Sequence, residues 1–370
     1  MAESILVWNV SGIGDFVDST PALRLLRHRK PTAFIALAVS EKVLPLAERC
    51  PYMDETLGIP TSRGRSAPGI REVPRWIRRM ASIRGRFSIV VNLYEMRSSI
   101  GAEWFRFLLR CLGAPVSIGR NTEGRAPFFT HAVEDSDGPR DQVERFLSVV
   151  SAVPAEDVTP AAEVGRAHEQ QLELWIPREI AAEVREWLAG EAHWGACRGP
   201  KVLVALGGER RSRHEWPERA ARWVKALQDE QDIRPIVWGT LEDPGLPAGT
   251  SVAHLDTRGR CDLLHSVALF ACVDAVVTTH SAPQHLAGVW GVPTVVLAGP
   301  GDTVKYRPHL PAGCVRILRH PLPCSPCYYA DCPRPGVGQR ECLRSIAIEE
   351  IVHAVRDVIT LRRIRATTGL

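Results

Sequence analysis

Short apolar runs alternate along this chain with longer segments whose apolar positions recur every three or four residues. Residues 4–10 form the first run and predict a buried strand. A glycine-containing loop follows, then a helix from about residue 20 to 28 with Pro21 in its first turn, where a missing N–H leaves nothing unpaired. Residues 33–39 and 89–93 are further strands. The pattern restarts after about residue 195. Strands at 201–205, 235–238, 275–278 and 294–298 alternate there with helices at 217–228, 262–272 and 282–288. Apolar residues at helical spacing (Ile348, Ile351, Val352, Val355, Ile359) predict a last helix over 348–363. Strand–helix–strand repetition predicts α/β structure, with parallel sheets covered by helices on both faces. Two such stretches separated by a polar segment at 155–195 predict two Rossmann-like, doubly wound domains, 1–175 and 176–345, with a closing helix over 346–370. Open sheets of this kind bind ligands at the carboxyl ends of their strands, so the expected site is a cleft faced by both domains.

Composition narrows the picture in three places. A net charge of +4 over 370 residues gives no sign of a nucleic-acid binder, which concentrates basic charge. No run approaches the roughly 20 apolar residues of a membrane span, and the first ten residues lack the pattern of a signal peptide. A cytoplasmic location with reduced thiols is the expectation. Six of the ten cysteines (Cys50, Cys111, Cys197, Cys261, Cys272, Cys314) are scattered and suit small buried positions.

Four loops at strand ends carry the candidate chemistry. The first contains Ser11, Gly12, Gly14 and Asp15. A dinucleotide fingerprint needs a glycine three places after Gly14, and Val17 stands there, which argues against a dehydrogenase. Asp15 is either a base presented at the strand end or a carboxylate that complements a helix N-terminus. The second loop combines Gly207 and Gly208 with Arg210, Arg211, Arg213 and His214 ahead of a helix, a cradle suited to a diphosphate. In the third, Ser281 is positioned to cap a helix that continues through Ala282 and Pro283, and His280 and His285 lie at the same anion-type end. The fourth holds Gly299 and Asp302.

Together these loops resemble glycosyltransferase family 9, the heptosyltransferases of lipopolysaccharide core synthesis. The opening strand, S-x-x-G-D and P-A-L pattern reads here as Ser11 to Asp15 and Pro21-Ala22-Leu23. The W-P segment is Trp216-Pro217, and the D-S-G-x-x-H-L-A signature is His280-Ser281-Ala282-Pro283-Gln284-His285-Leu286-Ala287, with Gly291 and Pro293 following. A G-P-T-D segment matches Gly299 to Asp302, and a C-x-P-C run matches Cys324 to Cys327. The resemblance implies a GT-B fold and inverting transfer of a sugar, heptose from ADP-heptose, to a lipopolysaccharide-type or other cell-envelope saccharide, with no cofactor needed for the chemistry. It implies that Asp15 is the general base and that Ser11, Gly12 and Gly14, with Arg97 and Arg120, face the acceptor. The 207–214, 280–285 and 299–302 loops would hold the nucleotide-sugar donor. Two positions depart from the family. His214 stands near its lysine and His280 replaces its aspartate, so that Arg210, Arg211 or Arg213 would have to supply the cation. A protein acceptor on an autotransporter and a non-catalytic nucleotide-sugar-binding role are the alternatives. A diphosphate beside His280 would be expected to raise that residue's pKa.

Two further features remain. Cys324, Cys327, Cys332 and Cys342 are spaced C-x2-C-x4-C-x9-C, which fits either a structural zinc or iron site or a proline-rich loop with reduced thiols. Relatives that glycosylate autotransporters resemble this chain in carrying a cysteine-bound iron. Residues 61–86 carry eight arginines against one acid, Glu72, with Val73, Trp76, Ile77 and Met80 at helical spacing. That segment is either a solvated arginine-rich stretch or a peripheral contact with an anionic acceptor lipid on the inner face of the inner membrane.

Overall fold

The computed structural model describes residues 3–61, 69, 71–134, 140–155, 170–192 and 197–368, with side chains to residue 362. Arg63 and Arg65 of the basic segment lie outside the described residues. The chain divides into two compact units, Met1–Trp175 and Ile176–Leu370.

In the first unit β1 (Ser4–Asn9), β2 (Phe34–Ser40), β3 (Glu55–Ile59), β4 (Ile89–Asn92), β5 (Val116–Asn121) and β6 (His131–Glu134) form a parallel sheet in the order β3-β2-β1-β4-β5-β6. Its helices are α1 (Ile13–Arg29), α2 (Leu44–Ala47), α3 (Val73–Ile83), α4 (Ser99–Leu112) and α5 (Gln142–Ser151). β1, β2 and β4 are almost wholly apolar because helices cover both faces of the sheet. Leu6, Trp8, Ala36, Val90, Phe105, Leu108 and Phe129 belong to one of its cores.

The second unit opens with α6 (Arg178–Gly190). β7 (Lys201–Ala205), α7 (Pro217–Gln231), β8 (Arg234–Val237), β9 (Leu255–Asp256), α8 (Leu263–Ala268), β10 (Ala275–Thr279), α9 (Ala282–Val289), β11 (Thr294–Leu297), β12 (Val315–Leu318), α10 (Glu341–Arg344) and α11 (Ile348–Thr368) follow. The sheet runs β12-β11-β10-β7-β8-β9, again parallel throughout. Counted within its own unit, each sheet has the strand order 3-2-1-4-5-6, which places a topological switch between β1 and β4 in one and between β7 and β10 in the other. α11 packs on α7, β10, β11 and β12 of its own unit, burying Ile351, Val355, Val358 and Ile359 against Trp223, Val224 and Leu227.

One helix departs from expectation. α1 begins at Ile13, not at residue 20, so Pro21 sits inside it. Proline has no N–H to give the carbonyl of Val17. The Thr20 hydroxyl donates to that carbonyl instead, at 2.8 Å, and also accepts from the Glu173 amide at 3.0 Å. The helix tolerates Pro21 because its neighbour replaces the lost donor. Thr20→Val keeps the shape and removes the hydroxyl from a fully buried site. It is expected to cost about 1–3 kcal/mol for each buried group left unpaired, read as a lower urea midpoint at unchanged slope.

Candidate functional site

In the first unit the loop after β1 lies at the switch point. Ser11 donates to Asn9 Oδ1 at 2.6 Å, the Asn9 amide donates to Ser19 Oγ at 2.9 Å, and the Ser40 hydroxyl donates to the Ser11 carbonyl at 2.8 Å. Buried groups on β1, α1 and β2 thus fix this loop. Gly12 stands at the N-cap position of α1 in extended conformation, with open space where a side chain would be. Gly14 and the half-buried Asp15 fall in the first turn. At the other side of the switch, past the carboxyl ends of β4 and β5, Glu95 bonds both Arg97, at 2.9 Å, and the buried Arg120, at 3.1 Å. One carboxylate therefore holds two cations at the strand ends. Asn9, Ser19, Ser40 and Glu95 were not legible in the sequence, because isolated polar residues at strand ends or within a helix carry no periodic signal.

In the second unit the loops after β7, β10 and β11 meet. A Cβ on Gly208 would lie 2.9 Å from the Ser281 side chain, and one on Gly301 would lie 2.3 Å from the His280 ring. A Cβ on Gly207 would come within 2.3 Å of Asp243. Only glycines permit this closeness. The Gly207 carbonyl accepts from Thr279 and Ser281 hydroxyls at 2.9 and 3.0 Å, and His214 Nε2 lies 2.8 Å from the Gly208 carbonyl. Arg213 donates to the His280 carbonyl at 2.9 Å. Ser281 does occupy the N-cap position of α9, but its hydroxyl does not cap the helix, because it is directed to Gly207 and Thr279. Ala282 opens α9, and the Tyr306 ring stands edge-on to both His280 and the buried His285.

The arginine loop is not a free cradle. Arg211 is paired with Asp331 at 2.6 Å, and Arg210 lies over the Tyr328 ring and donates to the Tyr328 carbonyl. Ser212 bonds the carbonyls of Tyr329 and Ala330. Tyr328 also donates to Asp302, whose other oxygen accepts the amides of Val304 and Lys305. Gly299 adopts a left-handed conformation, φ +43°, over Leu343. The segment that braces these loops is the cysteine-bearing one. The Cys327 amide donates to the Pro300 carbonyl at 2.8 Å, and Arg340 lies 3.9 Å from the Trp216 ring centre while donating to the His214 carbonyl.

Burial pushes the Cys342 thiol up to about 11, with Cys324, Cys332 and Cys327 adding to the rise. Cys324, Cys327 and Cys332 are thus each near enough to Cys342 to affect its thiol. Among the described residues, however, no group of three or more histidine, cysteine or acidic side chains is arranged to hold a metal ion.

His280 lies deep within the second unit. It is 2% exposed, and burial, then the Arg213 and His285 charges, hold its pKa well below 6.5. Its Nε2 and the Gln284 Oε1 are buried and find no hydrogen-bond partner among the described residues. Without a ligand, His280 is a neutral imidazole rather than a cation.

Two units, each with a doubly wound parallel sheet of order 3-2-1-4-5-6, have the architecture of the GT-B class. The chain belongs to glycosyltransferase family 9 (heptosyltransferase), whose family model matches residues 100–337. It is 24% identical over 310 residues to lipopolysaccharide heptosyltransferase 2 of Escherichia coli K12, covering 80% of this chain and 83% of that protein. The solved structure of E. coli ADP-heptose lipopolysaccharide heptosyltransferase II superposes with a TM-score of 0.69 at 19% identity, over 97% of this chain and 99% of that one. The iron-containing dodecameric glycosyltransferase TibC of enterotoxigenic E. coli gives 0.56 at 13% identity, over the whole of this chain and 78% of that one.

A histidine kept neutral when folded but free to take a proton when unfolded makes unfolding consume a proton. Its stabilising contribution is complete above about pH 6.5 and is lost as pH falls toward the depressed folded value. Unfolding free energy measured against pH should fall on the acid side in the wild type, and His280→Asn should flatten that slope. An unchanged slope in the variant would show that His280 is not the titrating group.

Proposed function

We propose that this enzyme moves heptose from ADP-heptose, with inversion, onto a saccharide of the cell envelope, of lipopolysaccharide type. The observation that carries the donor half is the meeting of the 207–214, 280–285 and 299–302 loops around buried polar atoms, His280 Nε2 and Gln284 Oε1, that find no partner among the described residues. Buried polar atoms of this kind are costly unless a ligand or water satisfies them. Arg210 and Arg213 are the cations suited to the leaving diphosphate, and their stabilisation of its charge would lower the barrier. A neutral His280 would serve as a hydrogen-bond partner to the donor where an aspartate would serve as an anion.

On the first unit, Asp15 is assigned as the base. Its carboxylate takes the proton of the acceptor hydroxyl as that oxygen attacks the anomeric carbon, the carbon–oxygen bond to the diphosphate breaks, and ADP leaves. Ser11, Gly12 and Gly14 shape the approach, with Arg97 and Arg120 as cations for an anionic acceptor. The reading assigns the reaction to the cytoplasmic side of the inner membrane. Among the described residues no helix is long and apolar enough to cross a membrane. A protein acceptor is the second reading, favoured by the four clustered cysteines, since the resemblance is to relatives that glycosylate autotransporters and carry a cysteine-bound iron. Cys324, Cys327, Cys332 and Cys342 are the residues that would hold iron or zinc, and such a metal would stiffen the segment that braces the donor loops.

Asp15→Asn should lower transfer about 10²–10⁴-fold while ADP-heptose still raises the melting temperature. Turnover within tenfold of wild type would remove Asp15 from the mechanism. Elemental analysis of protein purified without added metal should find about one iron or zinc per chain, lost when Cys324 and Cys327 are replaced by serine. A metal-free protein that folds and transfers sugar at full rate would leave the cysteines as plain thiols.

A further inference from the structure

Five large hydrophobic side chains are exposed among the described residues of the first unit, and four of them lie on α3 and α4. Val73 and Ile77 are one helical turn apart on α3, at 38% and 56% exposure. Ile100 and Phe107 are two turns apart on α4, at 85% and 50%. The two helices pack together, with the Trp76 and Trp104 rings 5.1 Å apart and Phe107 continuing from Trp104 at 5.8 Å. Phe107 thus continues an aromatic seam outward, while Val73 and Ile77 share α3 with Trp76 and Ile100 stands one turn before Trp104 on α4. Exposed apolar side chains gathered on two packed helices mark an interaction site.

The charge beside it is one-sided. Within the two helices stand Arg75, Arg78, Arg79, Arg106 and Arg110 against a single acid, Glu103. Glu103 pairs loosely with Arg106 at 3.7 Å, Arg75 pairs with Glu41 from beyond α2's start, and Arg79 donates to the Gly58 carbonyl. Arg78 and Arg110 are exposed. Apolar and aromatic side chains framed by arginines are what a helix needs to lie in the headgroup region of an anionic bilayer. The chains enter the acyl boundary and the guanidinium groups meet the phosphates.

We infer that the α3–α4 face is a docking surface for anionic phospholipid. This goes beyond the transfer reaction and does not rest on it. α4 carries half of the surface, although its sequence lacks the arginine density of α3.

The test is flotation of the full chain with phosphatidylcholine vesicles made with and without phosphatidylglycerol, at low and high salt. Binding is expected only to the anionic vesicles and should weaken with salt. Ile77→Ser with Phe107→Ser should lower the partition coefficient about tenfold or more, as expected when two large apolar side chains are removed from a buried position. Circular dichroism and melting temperature should remain those of the wild type. Leu241→Ser with Val337→Ser, exposed apolar positions on the second unit, should leave binding unchanged. Failure to bind anionic vesicles, or equal binding by the α3–α4 variant, would overturn the inference. So would a dimer in sedimentation velocity that the α3–α4 substitutions dissolve, because a second copy would then be the occupant. Vesicle binding without sugar transfer would leave the inference standing and count against the proposed reaction alone.

Discussion

The donor end of the second sheet depends on three positions that lack side chains. Gly207, Gly208 and Gly301 let Asp243, Ser281 and His280 approach the backbone to distances that a Cβ would forbid. With those contacts in place, the Gly207 carbonyl can take two hydroxyls, Ser281 is drawn from the helix cap, and His280 is sealed from water. The neutrality of His280 follows from the same closeness, since burial is its first cause. A glycine-rich strand end is often read as flexibility for a ligand. Here it serves close packing as well, and that packing leaves polar atoms facing inward that no described residue satisfies.

The first unit solves its version of the problem with side chains. Asn9 lies at the end of a strand that is otherwise apolar and ties Ser11 to Ser19, while Ser40 holds the Ser11 carbonyl from the neighbouring strand. The loop that carries Asp15 is thereby fixed by the protein itself. Such prior fixing spares any ligand that meets the loop the entropy of ordering it.

The central strands β1, β2, β7 and β10 were legible in the sequence because helices cover both of their faces and leave unbroken apolar runs, whereas the internal strand β5 was not, since Ser117, Gly119, Arg120 and Asn121 break its apolar run. The edge strands β6 and β12 were not, since neither is well buried and no apolar run marks them. β9 has two residues, too few to form a pattern. The site loops were legible because they follow central strands directly. What supports them was not. Tyr306 between two histidines, Tyr328 on Asp302, and Asp331 on Arg211 come from loops far along the chain, and only the fold brings them near. Pro21 misled because its compensation, the Thr20 hydroxyl, is a contact and not a pattern.

The bracing of the arginine loop by the cysteine-bearing segment has one more consequence. Arg340 on Trp216 and Asp331 on Arg211, 120 residues apart in the latter pair, join two distant stretches of chain, and Tyr328 ties Asp302 to them as one mechanical unit. Free-energy coupling between two sites is reciprocal. Order that any ligand imposed on the 207–214 loop would be returned as order in the thiol segment, and loosening of that segment would weaken the hold on that ligand by the same factor. The four thiols would in this sense enter the binding isotherm of a ligand that none of them need touch.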